Sequence, residues 1–470
     1  MAQAGEAEIR VMIDRYADGL KATGAIKSAA VERAFRIVER HRLLETFYYH
    51  RGAGGFETLR HDPGHPGRDH LALIYADTAL VTRRIGGMPA SSTSQASLVA
   101  AMLELLGLRE GMKVLEVGAG TGYNAALMAE IVGDQRLVVT VDVFEDVVDQ
   151  TRRLLAGAGY PRIQVLARDG FEGVPEQAPF DRIVATVGCS DLSPHWAGQL
   201  AGDGAMLIPL EHATGHPLVL IRKDDGALRG RMVLRTGFMP VRGLLHIEDL
   251  WARGVAVADP VELIHEHDAR PRFSARRPDE PMGLTDDEAD FLFFLGLHDR
   301  RACWAPQGPA LSELDGWAAL APDGIWWRKD ARLARELDRR YRDWDAHGRP
   351  ALEDYEVSFV PIDQERDPPP GGWQVERRFY RQLVSLSHAR REGLPEGAPR
   401  LVREFWVRSL NLVWASWPPR KRQSVPRSSP WMMTRACPAR SRATCGDGTA
   451  SGTGSCGPSR RRRRLTRCGR

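Results

Sequence analysis

The chain has 470 residues, 43% of them hydrophobic, enough to bury sizeable cores in roughly two or three domains. Its formal net charge of +4 hides a division: residues 420–470 hold 14 Lys and Arg against the single acid Asp447, and the rest holds 51 Lys and Arg against 60 Asp and Glu, a net −9. No apolar run reaches about 18 residues, Met1–Tyr16 is charged and lacks an apolar signal core, and only Cys189 and Cys303 precede the tail, which argues against a disulfide framework; a cytoplasmic protein with no membrane helix is expected.

Residues 7–50 read as helices, with Ala30–Ile37 showing apolar positions at helical spacing. Residues 51–70 are rich in Gly, His and Pro and read as loop. His61, His65 and His70 fall there, suit no metal spacing, and are expected to be exposed. Residues 71–90 look extended and end in Gly86-Gly87 and Pro89. Ser91-Ser92-Thr93-Ser94-Gln95 then reads as an N-cap cluster for an amphipathic helix over 98–108.

From residue 113 strands and helices alternate. Strands are predicted over 114–120, 137–143, 163–167, 180–188 and 205–210, with a helix over 144–156 between the second and third. Such alternation predicts an α/β fold with a doubly wound, Rossmann-like parallel sheet. Residues 218–223 and 230–241 suggest further strands at the sheet edge. The expected organisation is a helical lead-in (1–85), a nucleotide-binding domain (86–243), a mixed accessory domain that could bind substrate (244–420) and a tail (421–470). Helices are expected over 286–297 and 330–344, and strands at Trp326-Trp327 and Trp373.

The tail is rich in Arg, Ser, Gly, Pro and Cys and cannot bury enough surface to fold. Arg460–Arg464 would suit an acidic partner. Cys437, Cys445, Cys456 and Cys468 are too far apart for paired zinc ligands. The preferred reading is a shifted frame near residue 420 that leaves a disordered basic tail without selected function, so nucleic acid is not an expected partner.

The chemistry is expected at residues 111–124, GMKVLEVGAGTGYN. The apolar run Val114–Val117 suits one buried strand. Gly118, Gly120 and Gly122 allow a tight turn into a helix, a geometry that brings backbone close to a ligand. In an open α/β sheet ligands sit beyond the carboxyl ends of strands, where strand order reverses. Glu116 lies at the first such end. Asp142 ends the second strand, where a carboxylate can accept from both ribose hydroxyls. Asp169-Gly170 ends the third, where Asp169 could accept from an adenine amino group. Cys189, His195 and His212 are read as structural or surface residues, and no metal constellation is found.

Glu116-x-Gly118-x-Gly120-x-Gly122 resembles the first motif of class I S-adenosylmethionine (SAM) methyltransferases. Over residues 25–242 the chain resembles the protein-L-isoaspartate O-methyltransferase family. Residues 24–41 (GAIKSAAVERAFRIVERH) are similar to that family's helical lead-in, with Glu39 where the family's VPR segment carries proline. Residues 74–106 are similar to its Tyr-x-Asp…Ser-(Gln/Ala)-Pro segment, with Ala96 in place of that proline. The resemblance implies SAM as cofactor and an aspartyl- or isoaspartyl-bearing peptide or protein as substrate. It implies Ser94 as the active-site serine, orienting the attacking carboxylate. It places Thr93 and Gln95 beside the cofactor with Glu116, Gly118, Gly120, Gly122, Asp142, Asp169 and Gly170. Trp344–Pro350 (WDAHGRP) resembles a subgroup that matures ribosomally made peptides such as lanthipeptides. A small-molecule methyltransferase and a catalytically silent SAM- or peptide-binding protein are the rival readings.

Overall fold

The computed structural model describes residues 3–50, 55–213, 215–247, 285–305, 307–313, 316–321 and 324–387. Residues 248–284 and 388–470, the tail included, fall outside these, so the expectations placed on them do too. The lead-in opens with α1 (Glu6–Ala22), which buries Ile13, Tyr16, Ala17 and Leu20 along one stripe. In α2 (Ala29–Ile37) the Ser28 hydroxyl accepts from the Val31 amide and caps the helix. A short turn at Arg40–Leu43 follows.

The lead-in is not all helical. β1 (Thr46–His50) and β2 (Phe56–Arg60) form a hairpin, then come α3 (Arg68–Ile74), β3 (Leu80–Ile85) and β4 (Met88–Thr93). These strands make one antiparallel sheet in the order β2-β1-β3-β4. The stretch read as extended from residue 71 is therefore the end of a helix followed by a hairpin. Gly86 and Gly87 turn it with φ of 57° and 84°, the paired positive values that a two-residue type I′ turn requires.

α4 (Ala96–Leu106) starts without a serine cap. Asp77 does that work from 20 residues upstream: its carboxylate accepts from the Ser97 amide (2.9 Å) and the Gln95 side chain (3.1 Å). The N-cap reading of residues 91–95 is thus corrected, and Ser94 is released from a capping role.

The main sheet begins with β5 (Val114–Val117), α5 (Tyr123–Val132), β6 (Val138–Asp142), α6 (Glu145–Gly157), β7 (Gln164–Ala167), β8 (Phe180–Ala185), α7 (Pro194–Gln199) and β9 (Leu200–Pro209). β7, β6, β5, β8 and β9 lie side by side and parallel. All four residues of β5 are buried, which is why it reads as an unbroken apolar run around Glu116. The chain steps from β5 to β6 on one side and reaches β8 on the other, so strand order reverses at β5.

β10 (Leu218–Asp224) and β11 (Ala227–Leu234) extend the sheet as an antiparallel hairpin, but they are not its edge. After α8 (Asp286–His298) a small antiparallel sheet forms from β12 (Ala302–Ala305), β13 (Gly308–Ser312), β14 (Trp317–Ala321) and β15 (Gly324–Arg328). Then come α9 (Ala331–Ala346), β16 (Tyr355–Pro361), β17 (Trp373–Glu376) and β18 (Tyr380–Leu386). β16 pairs with β11, and β18 and β17 follow outward. The segment after residue 243 thus contributes three strands to the same ten-stranded sheet. Trp344 is buried and packs on Phe291 and Tyr341, so WDAHGRP begins in core. No described helix is long and apolar enough to cross a membrane.

Candidate active site

A cleft opens beyond the carboxyl ends of β5 and β6. Residues Pro89–Gln95 form one side, Glu116–Thr121 and Val141–Phe144 the floor, and Gly237–Arg242 the facing side. The facing side is pinned to Gly188. The Met239 carbonyl accepts from the Gly188 amide, and the Val241 amide donates to the Gly188 carbonyl.

Most of the expected residues meet here. Ser94, Thr93 and Gln95 line the cleft, as do Glu116, Gly118, Gly120, Asp142 and Gly170. The half-buried Ser94 lines the cleft, and its hydroxyl has no hydrogen-bond partner among the described residues. Asp142 is held by the Gly120 amide (3.3 Å) and the Phe144 amide (3.1 Å), and burial raises its pKa. Glu116 is fully buried. Its two oxygens accept from Asn124 Nδ2 and Thr140 Oγ1, each at 2.7 Å, and burial pushes its carboxyl up to about 7.

Two expected residues stand elsewhere. Gly122 does not line the cleft; it begins α5, packed against Thr151 and Leu155 of α6. Asp169 does not line it either. Its carboxylate accepts from the Phe171 amide (3.0 Å) and the Leu244 amide (2.9 Å), tying the turn at Gly243–Leu245 to the end of β7. In the structure Asp169 thus anchors a loop beside the cleft. His61 and His70 are likewise buried, not exposed: His61 Nε2 meets the His41 carbonyl at 3.0 Å, and His70 packs on Phe47. Cys189 is fully buried, and burial raises its thiol pKa.

A sequence profile described as Protein-L-isoaspartate(D-aspartate) O-methyltransferase (PCMT) matches residues 69–245. The chain is 35% identical over 232 residues to the protein-L-isoaspartate O-methyltransferase of Methanopyrus kandleri, covering 49% of this chain and 91% of that protein. It belongs to the protein-L-isoaspartate O-methyltransferase family. It is also 37% identical over 177 residues to the Thermotoga maritima protein of that name, and the match spans 56% of that relative. A solved structure titled protein-L-isoaspartate O-methyltransferase aligns over 80% of this chain and 99% of its own at 24% identity, with a TM-score of 0.47.

The family match ends at residue 245, so α8 onward lies outside it. Sequence reasoning passed over four residues that shape this family member's cleft. Asn124 and Thr140 hold Glu116, Asp77 caps the helix in place of Ser94, and Arg242 lines the facing side. Asn124 and Thr140 carried a usable signal: polar residues at the second position of the largely buried α5 and inside an apolar strand need a buried partner.

Proposed function

We propose that this chain transfers a methyl group from SAM to an aspartyl or isoaspartyl carboxylate in a peptide or protein. One observation carries the reading: the strand end bearing Ser94 and the glycine turn share one cleft so tightly that a Cβ on Gly120 would stand 3.4 Å from the Ser92 carbonyl. The residues suit the donor. Asp142 accepts one amide bond at each carboxylate oxygen, which leaves lone pairs for a diol. The buried acid Glu116 favours a cationic ligand beside it.

SAM, when bound, supplies a methyl group activated by a sulfonium charge. A substrate carboxylate is ionised at neutral pH, with a reference pKa of about 4, so no general base is needed. Its oxygen forms the new bond to the methyl carbon as the carbon–sulfur bond breaks, and the electron pair stays on sulfur. The products are the methyl ester and S-adenosylhomocysteine. The task left to the protein is alignment and exclusion of water. Ser94 orients the carboxylate by donating its hydroxyl hydrogen. Attack on the ester by the neighbouring backbone nitrogen, with loss of methanol, then gives a succinimide.

Matched isoaspartyl and aspartyl peptides, incubated with SAM, test the reading through S-adenosylhomocysteine release and peptide mass. Methylation of the isoaspartyl peptide alone supports a repair role. Methylation of the aspartyl peptide supports tailoring of a ribosomally made peptide. With SAM bound and neither peptide methylated, general action on such residues is excluded.

Glu116 adds a pH signature. Its ionised form attracts the cationic donor, and a bound cation lowers its pKa from about 7. SAM affinity is therefore expected to rise as pH climbs from about 5 to about 7, by roughly tenfold, and to level off above. Calorimetry across that range measures it, with Glu116→Gln giving a flatter profile. A flat wild-type profile would remove Glu116 from donor recognition.

A further inference from the structure

Arg40 is 1% exposed, one of the most buried charged groups among the described residues. No described carboxylate lies within ion-pair distance of it, and its Nε has no partner there. A buried guanidinium without a counter-ion is costly, and an apolar side chain would serve packing better. What it touches explains its presence. Nη2 donates to the Ser94 carbonyl (2.9 Å) and the Thr78 carbonyl (3.3 Å), and Nη1 donates to the Tyr16 hydroxyl (3.1 Å). Its guanidinium carbon stands 5.5 Å from the ring centre of Tyr123, which lines the cleft.

Thr78 and Ser94 flank the two ends of the β3–β4 hairpin, whose base is the Leu80–Thr93 pair. One guanidinium nitrogen, Nη2, therefore joins the two ends of the hairpin at its root, on the Ser94 carbonyl, while Nη1 on the Tyr16 hydroxyl fixes the plane of the fork. We propose that Arg40 is a positioning residue for carboxyl methylation: it fixes the hairpin base, and thereby the aim of the Ser94 hydroxyl. This rests on the methyl-transfer reading above.

Methyl transfer consumes one positive and one negative charge. A nearby cation slows the reaction by favouring the carboxylate and speeds it by disfavouring the sulfonium, so its charge acts on the barrier in opposed directions. Geometry is what remains, and a lysine keeps the charge without the fork.

Arg40→Lys, Ser94→Ala and their combination are compared for kcat and KM on an isoaspartyl peptide and for SAM affinity. Peptide affinity is measured with S-adenosylhomocysteine present. Arg40→Gln is a second variant that carries no buried charge and so removes that threat to folding. Arg40→Lys and Arg40→Gln are each expected to lower kcat about tenfold, with SAM affinity within about twofold of wild type. On the Ser94→Ala background they add nothing further. Full kcat in Arg40→Lys, losses that multiply in the combined variant, or SAM affinity falling in step with kcat overturns the proposal. If the wild type binds the peptide without turnover, methyl transfer fails as the function while Arg40 is still judged: Arg40→Lys and Ser94→Ala must then weaken peptide binding equally and without adding. If the wild type neither binds nor methylates peptide, both readings fall.

Discussion

Gly118→Ala is expected to weaken SAM binding by at least about a hundredfold, or roughly 2.7 kcal/mol. Gly118 has φ of 109°, a conformation that side-chain-bearing residues rarely adopt. A Cβ there would lie 2.5 Å from Thr186 Oγ1 and 3.0 Å from Val187 Cγ1. Thr186 cannot step aside freely, because its hydroxyl donates to the Gly118 carbonyl at 2.7 Å. The turn must move instead. Its amides at Gly118 and Ala119 both donate to the Val141 carbonyl, at 2.9 and 3.1 Å, so movement detaches the turn from β6. Gly120 moves with it, and its amide is one of the two that hold Asp142. The strain and the lost alignment act on the same few atoms, so affinity should fall much further than overall stability. Calorimetric SAM titration beside a thermal melt separates the two. Undiminished affinity in a folded Gly118→Ala protein would mean the donor does not use this turn.

The parallel half of the sheet was legible because buried strands reduce to short apolar runs. β5, β6, β7 and β8 lie within a few residues of where the pattern placed them. The glycine turn was legible because tight backbone geometry restricts residue type. What escaped depends on partners distant in the chain. Nothing near residue 96 announces that Asp77 caps α4. Nothing near residue 355 announces that β16 pairs with β11. The loop-like composition around His61 and His70 concealed their burial, because the groups that cover them, His41 and Phe47, lie upstream. Arg40 is the extreme case: its acceptors are mostly backbone carbonyls, which carry no residue-type signature at all. The Gly86-Gly87 turn could have been read as a hairpin, since paired glycines between extended residues are a standard signal. The tie from Asp169 to the Leu244 amide was equally hidden, because that amide lies 75 residues downstream.

Asp191→Ala is expected to destabilise the folded chain by about 2–4 kcal/mol, because it strips acceptors from buried amides worth roughly 1–3 kcal/mol each. Asp191 is fully buried beside the end of β8. One oxygen accepts from the Leu192 amide (2.7 Å), and the other from Phe379 (2.6 Å) and Tyr380 (3.3 Å). The last two belong to the start of β18, so this carboxyl clamps the added strands to the family core. The clamp reaches the cleft in two ways. Phe379 packs on Phe171, with ring centres 5.0 Å apart, and Phe171 directly follows the cleft residue Gly170. Arg378 donates to the Leu244 carbonyl at 3.2 Å, across the same turn that Asp169 holds. Loss of Asp191 should therefore weaken SAM binding several-fold as well, through the wall beside Gly170.

The effect has a direction with pH. Burial pushes the Asp191 carboxyl up to about 6, above its unfolded value of about 3.9. A folded-state pKa raised in this way means that the stability tied to the protonated form is complete below the unfolded pKa and is lost as pH rises through about 6. The penalty of Asp191→Ala should then be larger at about pH 5 than at about pH 7. Denaturant unfolding at the two pH values, with the full chain, measures this. An equal penalty at both would mean that Asp191 stays ionised throughout. No penalty at either would mean that β17 and β18 hold to the core without it, and that the added strands brace the cleft through packing alone.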